Sequence, residues 1–367
     1  MKKNNINNVD SCTSCSACID ICPKGCIEMK NSVLGHEKAF ASDLCIECAA
    51  CLKVCPQIVF PKGKQPIKAV ASWNPDLTQR EKSSSGGTAT VLSEHFIEDG
   101  GVVYGCKFFL PFGFKHVRCD TKTSLSALRG SKYVQSDMSG VYAQISQDLK
   151  KGKKVLFIGI PCQVAGVNNF FKAKNHNLYT IDLLCHGVAS TTMLKKSLPK
   201  KMQYAQISNV TFRNNLFYQV GLWDMEKKIW ERAANREWFL KGFLKDIFSK
   251  ESCFSCKYAC NQRMGDLTLG DFWGTFPKGI ACDRSKGVNI CVVNSTKGAE
   301  LMLRSESVLR GVEVSLEDEL NGNLQFNKHA NKTWRRTLFK VLNYILGYKI
   351  AETLVLFDVK LKNIIMK

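Results

Sequence analysis

The sequence predicts two domains of different class, a small cysteine-rich α+β domain followed by a larger α/β domain. Two observations lead to this prediction. Cysteine runs of one spacing occur twice near the start of the chain, and strand-like apolar runs alternate with helix-like segments after residue 66. The length of 367 residues suits two or three domains, and the hydrophobic content of 45% excludes a disordered chain.

The N-terminal cysteines form two runs of the pattern C-x2-C-x2-C-x3-C-P. This pattern is typical of bacterial two-cluster ferredoxins, in which the fourth cysteine of each run binds the cluster of the other run. We therefore predict two [4Fe-4S] clusters. Zinc is the alternative, but zinc prefers two pairs of ligands around one tetrahedron, which fits two four-cysteine runs poorly. The first cysteine set is Cys12, Cys15, Cys18 and Cys55, and the second cysteine set is Cys22, Cys45, Cys48 and Cys51.

A polar segment at 61–66 indicates a linker, and the α/β pattern follows it. Helical patterns follow Ser85, Cys162 and Ser190, and residues 207–230 form a more β-rich insertion. The sequence contains neither a dinucleotide-binding glycine fingerprint nor a P-loop, so a classical nucleotide fold is not indicated. The predicted strands include 102–104, 155–158, 181–184 and 290–293.

Three features of the larger domain are candidates for chemistry. A serine- and glycine-rich turn at 83–87 precedes an amphipathic helix, where free backbone N–H groups can bind a phosphate; an ordinary N-cap is the alternative. Cys162 lies near the start of a helix, which favours its thiolate as a metal ligand or as a nucleophile. Cys185 and His186 stand where the next strand ends, and ligands gather at this end of parallel strands.

Four scattered cysteines form a candidate third site. Cys253 and Cys256 are two residues apart, and together with Cys162 and Cys185 they could hold a third cluster. A zinc site, or Cys162 acting as a redox nucleophile, stays open on spacing alone, and Cys260 could replace one of the four. We call Cys162, Cys185, Cys253 and Cys256 the third cysteine set. The remaining cysteines are predicted to be structural: Cys26, Cys106, Cys119, Cys282 and Cys291.

Taken together, these patterns resemble the coenzyme F420 hydrogenase/dehydrogenase β-subunit family over about residues 10–320. The resemblance rests on six motifs that occur in the family's order. They are the ferredoxin repeat, Ser83-Ser84-Ser85-Gly86-Gly87, Arg129-Gly130-Ser131-Lys132-Tyr133, Gly159-Ile160-Pro161-Cys162-Gln163, Asp182-Leu183-Leu184-Cys185-His186-Gly187 and Gly270-Asp271-Phe272-Trp273-Gly274.

The resemblance implies an α+β ferredoxin-type N-terminal domain followed by an α/β flavin- and iron-sulfur-binding domain. It implies FAD as a cofactor and the third cysteine set as ligands of a third [4Fe-4S] cluster. Lys132 would suit a diphosphate as a point charge. His186 is the candidate for delivering a proton, with a structural or flavin-contacting role as its alternative. Trp273 could stack on a planar ring or belong to the core. The implied flavin contacts are Ser85, Gly86, Gly87, Ser131, Lys132, Gly270, Asp271 and Trp273.

The leading hypothesis is an iron–sulfur flavoprotein oxidoreductase that passes electrons between the clusters and FAD to reduce or oxidise an unidentified substrate. Ferredoxin or another electron donor would load the N-terminal clusters. The alternative is a non-catalytic electron-transfer subunit that delivers electrons to a partner enzyme. The fused layout is most similar to family members associated with bacterial surface-polysaccharide synthesis. A zinc-bearing scaffold protein is the least favoured hypothesis.

The formal net charge of +20 favours an acidic partner, an anionic cofactor or an anionic membrane surface. No nucleic-acid motif occurs in the sequence, so a nucleic-acid partner is not predicted. The start of the chain lacks the apolar core of a signal peptide, and thiols at this density are typical of cytoplasmic metal ligands, so we expect a cytoplasmic protein.

The C-terminal segment is predicted to be a basic amphipathic helix. Such a helix can make a peripheral membrane contact or pack on its own domain, and we prefer packing. The predicted domains are therefore 1–62, 69–330 and 331–367. The apolar residues at helix spacing are Trp334, Leu338, Val341, Leu342, Ile345 and Leu346.

Overall fold

The computed structural model describes residues 4–172, 175–199, 202–214, 217–234, 236–278 and 280–356. Within these residues the strands are β1 (Ile27–Asn31), β2 (Glu37–Ala41), β3 (Lys68–Trp73), β4 (Val102–Phe109), β5 (Gly113–Cys119), β6 (Val155–Gly159), β7 (Leu178–Leu183), β8 (Asn209–Asn214), β9 (Phe217–Asp224), β10 (Lys227–Ala233), β11 (Leu267–Asp271), β12 (Asn289–Val293) and β13 (Arg310–Val314). The α-helices are α1 (Ala17–Asp20), α2 (Ala50–Val54), α3 (Leu77–Glu81), α4 (Thr88–Glu98), α5 (Lys122–Leu125), α6 (Val141–Lys150), α7 (Pro161–Phe171), α8 (Thr191–Ser197), α9 (Trp238–Leu244), α10 (Thr296–Arg304), α11 (Leu316–Gly322), α12 (Trp334–Ile345) and α13 (Tyr348–Val355).

The larger domain is built on a mixed sheet of eight described strands in the order β13-β3-β12-β11-β7-β6-β4-β5. The four neighbours β11, β7, β6 and β4 run parallel, and the outer pairs are antiparallel. Parallel neighbours need crossover connections, which α6 and α7 supply between β5, β6 and β7. The parallel strands therefore end at one edge of the sheet, where Cys162 and Cys185 follow β6 and β7.

The side chains of the central strands alternate between two helix layers. Val155 and Phe157 of β6 pack in one core with residues of α6 and α7, and Leu156 packs in the opposite core with residues of α4 and α10. The α/β class of this domain is confirmed. Three of the four strand segments predicted from the sequence lie within strands, the fourth, 181–184, extends one residue beyond the end of β7, and α4, α7 and α8 lie at the predicted helix positions.

The predicted β-rich insertion is also present. Strands β8, β9 and β10 form a separate antiparallel sheet beside the main one. This sheet packs with α8, α9, α12 and α13 around an aromatic core that includes Phe212, Phe239 and Phe248. Phe239 and Phe248 are fully buried, so the insertion is anchored on the larger domain.

The C-terminal segment differs from the predicted single helix. It forms two helices, because the chain breaks at Leu346 and Gly347, and Gly347 adopts a φ of +80° that favours glycine. Each helix buries one face against the larger domain, through Phe339 of α12 and Tyr348 of α13. The remainder of the predicted helix, 357–367, lies outside the described residues. None of the helices in the described part of the chain has the length and apolar content needed to cross a membrane.

The small N-terminal domain, with the hairpin β1–β2 and helices α1 and α2, packs against the larger domain. The carboxylate of Asp20 at the end of α1 accepts hydrogen bonds from the backbone N–H groups of Gly140 and Tyr142 at the start of α6, both at 3.1 Å. In the hairpin turn, Nε2 of His36 donates to the carbonyl oxygen of Phe248 at 2.9 Å. These contacts hold the cysteine-bearing parts of the two domains against each other.

Candidate metal centres and cofactor cavity

The same backbone turn holds the cysteines in both N-terminal runs. Ser14 and Glu47, each directly before the second cysteine of its run, have positive φ values of 54° and 55°. Such values are uncommon for residues other than glycine. The N–H of Ser14 lies 3.4 Å from Sγ of Cys12, and the N–H of Glu47 lies 3.4 Å from Sγ of Cys45. The sequence repeat is therefore also a repeat of backbone conformation, and in each turn a backbone N–H points at a cysteine sulfur.

The fold brings the first cysteine set together from both runs. Burial raises the pKa of Cys15 to about 12, and the charges of Cys12 and Cys55 act in the same direction. Burial also raises the pKa of Cys18, and the charges of the other three members of the set add to this effect. Thiols with raised pKa keep their protons until a metal replaces them. The placement of Cys55 beside Cys12 agrees with the exchanged fourth ligand of a two-cluster ferredoxin.

The second cysteine set lies nearer the surface. Its four members line one small cavity, and Cys48 is exposed. Cys26 lines the same cavity, with its Sγ 3.5 Å from Sγ of Cys22. We predicted Cys26 to be a structural thiol, and the structure places it next to a ligand of the second set.

The third cysteine set converges from three parts of the larger domain. Cys162 lies in the first turn of α7, Cys185 follows β7, and Cys253 and Cys256 come from a 3₁₀ turn and the residue after it. Burial raises the pKa of Cys162 well above its usual value, and the charges of Cys256, Cys185 and Cys253 add to this effect. Burial likewise raises the pKa of Cys253 to about 11. Four scattered thiols therefore share one interior site.

Cys260, the alternative ligand, lies beside the third set. Its Sγ is within 3.5 Å of the carbonyl oxygen of Lys257 and 3.3 Å of that of Gln262. Both contacts lie within its own loop, and the role of Cys260 as a replacement ligand stays a prediction. No group of three or more His, Cys, Asp or Glu side chains that could hold a single metal ion occurs in the described part of the chain.

The first and third cysteine sets are neighbours across the domain junction. Cys162 and Gly166 lie one turn apart on the same face of α7. A Cβ atom at Gly166 would stand 3.1 Å from Sγ of Cys15 and 2.8 Å from the hydroxyl oxygen of Tyr142, so a glycine is needed for this approach. Tyr258 lies at the same junction, since the charges of Cys162 and Cys15 both act on its hydroxyl.

A cavity of about 320 Å³ opens where the parallel strands end. Its volume falls in the usual range for ligand and cofactor sites. Cys185 lines this cavity, so one residue belongs both to the third cysteine set and to the cavity wall. Most of the flavin contacts implied by the resemblance are brought together here: Ser85, Gly87, Ser131, Lys132, Gly270 and Asp271.

The start of α4 and the segment around Lys132 form one wall. Gly87 is the N-cap of α4 with φ of +81°, and the N–H of Ser131 donates to Oγ of Ser84 at 2.6 Å. The ammonium of Lys132 donates to the carbonyl oxygens of Leu128 and Arg129, both at 2.7 Å, and has a third hydrogen to offer. Burial lowers the pKa of Lys132 to about 8.

Two of the implied flavin contacts lie elsewhere. A Cβ atom at Gly86 would lie 2.6 Å from the carbonyl oxygen of Ser72 and 2.7 Å from the backbone nitrogen of Asn289, so this glycine serves packing between α4 and the sheet. Trp273 is 56% exposed and does not line the cavity. Because β11 ends at Asp271, the chain leaves the cavity before Trp273. The core role predicted for Trp273 is therefore wrong, and the stacking role stays a prediction.

The β-rich insertion adds cavity residues that the sequence did not single out. Arg213 and Tyr218 line the cavity, and Nη1 of Arg213 lies 2.7 Å from Oδ2 of Asp271. This ion pair joins the insertion to the end of β11. Nothing in the sequence near Arg213 marks it, because its partner lies far along the chain.

A buried polar chain also lines the cavity. Nε2 of Gln163 donates to Oγ of Ser136 at 2.9 Å, and this hydroxyl lies 2.9 Å from Nδ1 of His116. Nε2 of His116 donates to the carbonyl oxygen of Ile158 at 3.0 Å. Burial lowers the pKa of His116 to about 4, so the ring is neutral at pH 7. The only sequence signal for these hydrogen bonds was Gln163, which ends one of the six motifs.

His186, the proposed proton carrier, lies on the cavity wall. Its Nε2 is 3.2 Å from Oδ1 of Asp246, in an arrangement that does not complete a hydrogen bond. The edge of its ring meets Phe243, with 5.3 Å between ring centroids. The histidine therefore stands between an acidic side chain and the cavity, next to Cys185.

Comparisons with known proteins identify two regions of the chain. The family that describes the C terminus of the beta subunit of coenzyme F420 hydrogenase/dehydrogenase matches residues 152–310. The family described as 4Fe-4S dicluster domain matches residues 5–59. No curated protein matches the chain.

The fold of most of the chain is also found in a solved structure. It is a chain from the xenon-derivatized F420-reducing [NiFe] hydrogenase complex of Methanosarcina barkeri, with a TM-score of 0.50 and 18% sequence identity. The match covers 72% of this chain and 89% of that chain. At this identity the likeness extends to the fold alone.

Proposed function

The chain joins a 4Fe-4S dicluster domain to a domain of the coenzyme F420 hydrogenase/dehydrogenase β-subunit family, and from this premise we propose that it is an iron–sulfur flavoprotein oxidoreductase. The two N-terminal cysteine sets bind [4Fe-4S] clusters, the third set binds another, and the cavity binds FAD. Clusters of this kind carry single electrons, and a flavin exchanges two electrons with a substrate.

The observation that carries the proposal is the double role of Cys185. It is a member of the third cysteine set and also lines the cavity that contains the Ser-Gly turn and Lys132. A cluster bound at Cys185 would touch the cofactor space directly. The first cysteine set lies against the third through Cys15 and Cys162. The sites therefore form one continuous series from the small domain to the cavity.

Each wall of the cavity has a separate task in this proposal. The start of α4, where the N–H of Thr88 is already donated to Oδ1 of Asn289, and the ammonium of Lys132 bind the diphosphate of FAD. Arg213 and Asp271 fix the insertion over the cavity. His186 delivers or accepts a proton, and the carboxylate of Asp246 lies beside its ring.

Iron, acid-labile sulfide and flavin content after anaerobic purification tests the proposal. Three clusters predict about twelve irons per chain, together with one flavin. About eight irons without flavin would contradict both the third cluster and the cofactor assignment. The cavity variant Lys132→Met provides a second measurement, because it should lower flavin content and leave the iron content unchanged.

A pure electron-transfer role is the second candidate function, and an exposed surface favours it. Leu44 is 74% exposed and Ile46 is 57% exposed, next to the exposed Cys48 of the second cysteine set. Ferredoxin or another donor, or a partner enzyme, would dock on these apolar side chains. Steady turnover of a small substrate by the isolated protein with an artificial donor would exclude a purely non-catalytic role.

We propose in addition that the C-terminal helices make a peripheral contact with an anionic membrane surface. The apolar stripe of Trp334, Leu338, Val341 and Ile345 faces solvent, because α12 buries the opposite face through Arg336, Phe339 and Asn343. In α13, Ile350 and Leu354 are exposed as well. Trp334 is 69% exposed and Ile345 is 67% exposed, so this face of the pair has no partner in the described part of the chain.

The charges around this stripe match an anionic surface. Arg335 and Lys340 flank the stripe on α12, and Lys349 lies on α13. Glu352 is the single acidic residue within 334–356, and it is buried. An apolar stripe with basic edges is typical of helices that lie in a membrane interface.

Vesicle co-sedimentation of the full chain tests this contact. We expect binding to vesicles that contain phosphatidylglycerol, weaker binding to phosphatidylcholine alone, and loss of binding for Ile345→Asp. Leu303→Asp is the matched control, since Leu303 is 70% exposed on α10 and far from the stripe in sequence. Wild-type binding by Ile345→Asp would contradict the proposal. Self-association of the wild-type chain that Ile345→Asp abolishes would also contradict it, because the stripe would then contact a second copy of the chain.

Two finer predictions rest on the sequence alone. Cluster ligands must stay reduced before loading, which favours the cytoplasm. The role in surface-polysaccharide synthesis stays a prediction from the resemblance, and the cavity residues themselves carry no signature of a saccharide.

A further inference from the structure

A buried lysine lies at the junction of the first and third cysteine sets. Lys250 is 4% exposed and stands directly before the 3₁₀ turn that contains Cys253. Its N–H donates to the carbonyl oxygen of Val188 at 3.0 Å, and its own carbonyl oxygen accepts from the N–H of Cys253 at 2.9 Å. The backbone of Lys250 is thus tied to Cys253 of the third cysteine set and to the segment that follows Cys185.

The side chain of Lys250 reaches across the domain junction. Its ammonium donates to Oγ of Ser14 and to the carbonyl oxygen of Glu37, both in the small domain. Ser14 is also the residue whose N–H meets Sγ of Cys12. The ammonium is therefore two hydrogen bonds away from a ligand of the first cysteine set, while its backbone holds a ligand of the third.

Burial lowers the pKa of the Lys250 ammonium, and negative charge on nearby side chains acts against this shift. Cys12 of the first set and Cys253 and Cys162 of the third set all act on Lys250, together with the carboxylate of Glu37. A buried cation is costly unless it is paired with negative charge. His36 of the small domain, on which the charge of Lys250 also acts, is neutral at pH 7 because burial lowers its pKa to about 3. No function proposed above uses Lys250.

We propose that Lys250 sets the reduction potentials of the first and third clusters as a pair and leaves the second cluster unaffected. Reduction adds one electron, and so one negative charge, to a cluster without making or breaking a bond. A fixed cation between two clusters stabilises the reduced form of both, and cluster potentials respond to local charge and hydrogen bonding. Lys250 would thereby ease the passage of an electron between the domains, supplied by a one-electron donor of ferredoxin type.

This inference rests on the proposed third cluster, and the experiment separates the two. Iron content of the wild-type protein is measured first, and about eight irons per chain would reject the third cluster alone. The effect of Lys250 on the first cluster can still be measured in that case. Anaerobic redox titration followed by EPR spectroscopy then gives the potential of each cluster in the full chain.

Lys250→Gln is the central variant, because it removes the charge and keeps an N–H donor for Ser14. We expect reduction of the first and third clusters to become at least tenfold less favourable, about 59 mV for a one-electron couple, with the second cluster unchanged. Lys250→Arg keeps the charge and should retain wild-type potentials. Lys297→Met is the matched control: its partly buried ammonium also donates to two backbone carbonyls, those of Asn175 and Leu178.

Three results would overturn the proposal. Lys250→Gln with full iron content and wild-type potentials would show that the charge has no effect. A uniform shift of all three potentials, or the same shift in Lys297→Met, would indicate a general change of structure. If Lys250→Gln does not load iron, Ser14→Ala is the second variant: it should lower the potential of the first cluster, and an unchanged potential there would reject the assigned path.

Discussion

Cys162 is the residue that best tests the proposed third site, because the charges of the three other thiols of the set and of Cys15 act on it. Cys162→Ser should remove about four irons per chain while the N-terminal clusters stay bound. Iron and sulfide analysis after anaerobic purification measures this loss. Cys291→Ser is the control, since that thiol is buried in β12 with its Sγ 3.4 Å from Sδ of Met302. Unchanged iron in Cys162→Ser would remove the residue from the ligand set.

Lys132 gives the cavity a pH dependence of its own. The ammonium loses its proton as the pH rises through about 8, so its attraction for a diphosphate is present below that pH and lost above it. We expect the dissociation constant of FAD to rise between pH 7 and pH 9, as measured by the fluorescence of released flavin. Lys132→Met should weaken binding at pH 7 about tenfold or more, since a charged hydrogen bond contributes about 1.5–3 kcal/mol.

The control for Lys132 is a lysine outside the cavity. Lys122→Met changes an exposed side chain that pairs with Glu98, and it should leave flavin affinity and its pH dependence as in the wild type. A wild-type profile that is flat from pH 7 to pH 9 would show that Lys132 does not contact the diphosphate.

At the scale of secondary-structure elements, the β1–β2 hairpin is fixed to the larger domain by a histidine that must stay neutral. Burial lowers the pKa of His36 to about 3, and Lys250 and Arg336 act in the same direction. The unfolded state binds a proton near pH 6.5, so this contribution to stability is complete above that pH and falls as the pH drops toward 3. At pH 5 the loss is about 2 kcal/mol.

His36→Gln tests this sign, because glutamine cannot be protonated. Wild-type protein should release its clusters faster at pH 5 than at pH 7, and the ratio of the two rates should be smaller in His36→Gln. Loss of cluster absorbance under anaerobic conditions gives the rates. An equal ratio in both proteins would mean that His36 does not set the acid sensitivity.

The sequence could predict those elements whose signal lies within a short stretch of the chain. The central strands are continuous apolar runs buried on both faces, and α7 follows its strand at a proline, so both were predictable. The C-terminal helices show the limit of periodicity. The apolar stripe of Trp334 and Ile345 predicted a helix, but a stripe does not say which face is buried, and here Phe339 and Arg336 on the opposite face pack inside.

In the candidate site, too, the residues marked by nearby sequence could be predicted, and those whose partners lie far along the chain could not. Cysteine spacing predicted the two N-terminal sets because the ligands of each run are neighbours in the chain. Arg213 and Lys250 could not be found this way, since each acquires its role from partners brought near by the fold, Asp271 in one case and Ser14 in the other. Trp273 was assigned from its place in a motif, and the end of β11 carries it to the surface.

At the scale of the whole molecule, the docking of the two domains depends on Asp20. Its carboxylate satisfies two N–H groups at the start of α6, as an N-cap side chain would, but from another domain. Asp20→Ala should cost about 1 kcal/mol and open the junction more often. We expect faster limited proteolysis in the 61–66 linker. Asp10→Ala, at a fully exposed aspartate, is the control and should be cleaved at the wild-type rate.

The three cysteine sets lie at different depths, and this difference sets the order in which oxygen reaches them. Cys48 of the second set is exposed, whereas the thiols of the third set are only partly exposed and three of the four in the first set are buried. Dioxygen reaches accessible, electron-rich sulfur first. We therefore expect oxygen to damage a cluster at the second set before the clusters at the other two sets. A briefly aerated sample would then lose electron exchange with external donors before it loses the inner clusters.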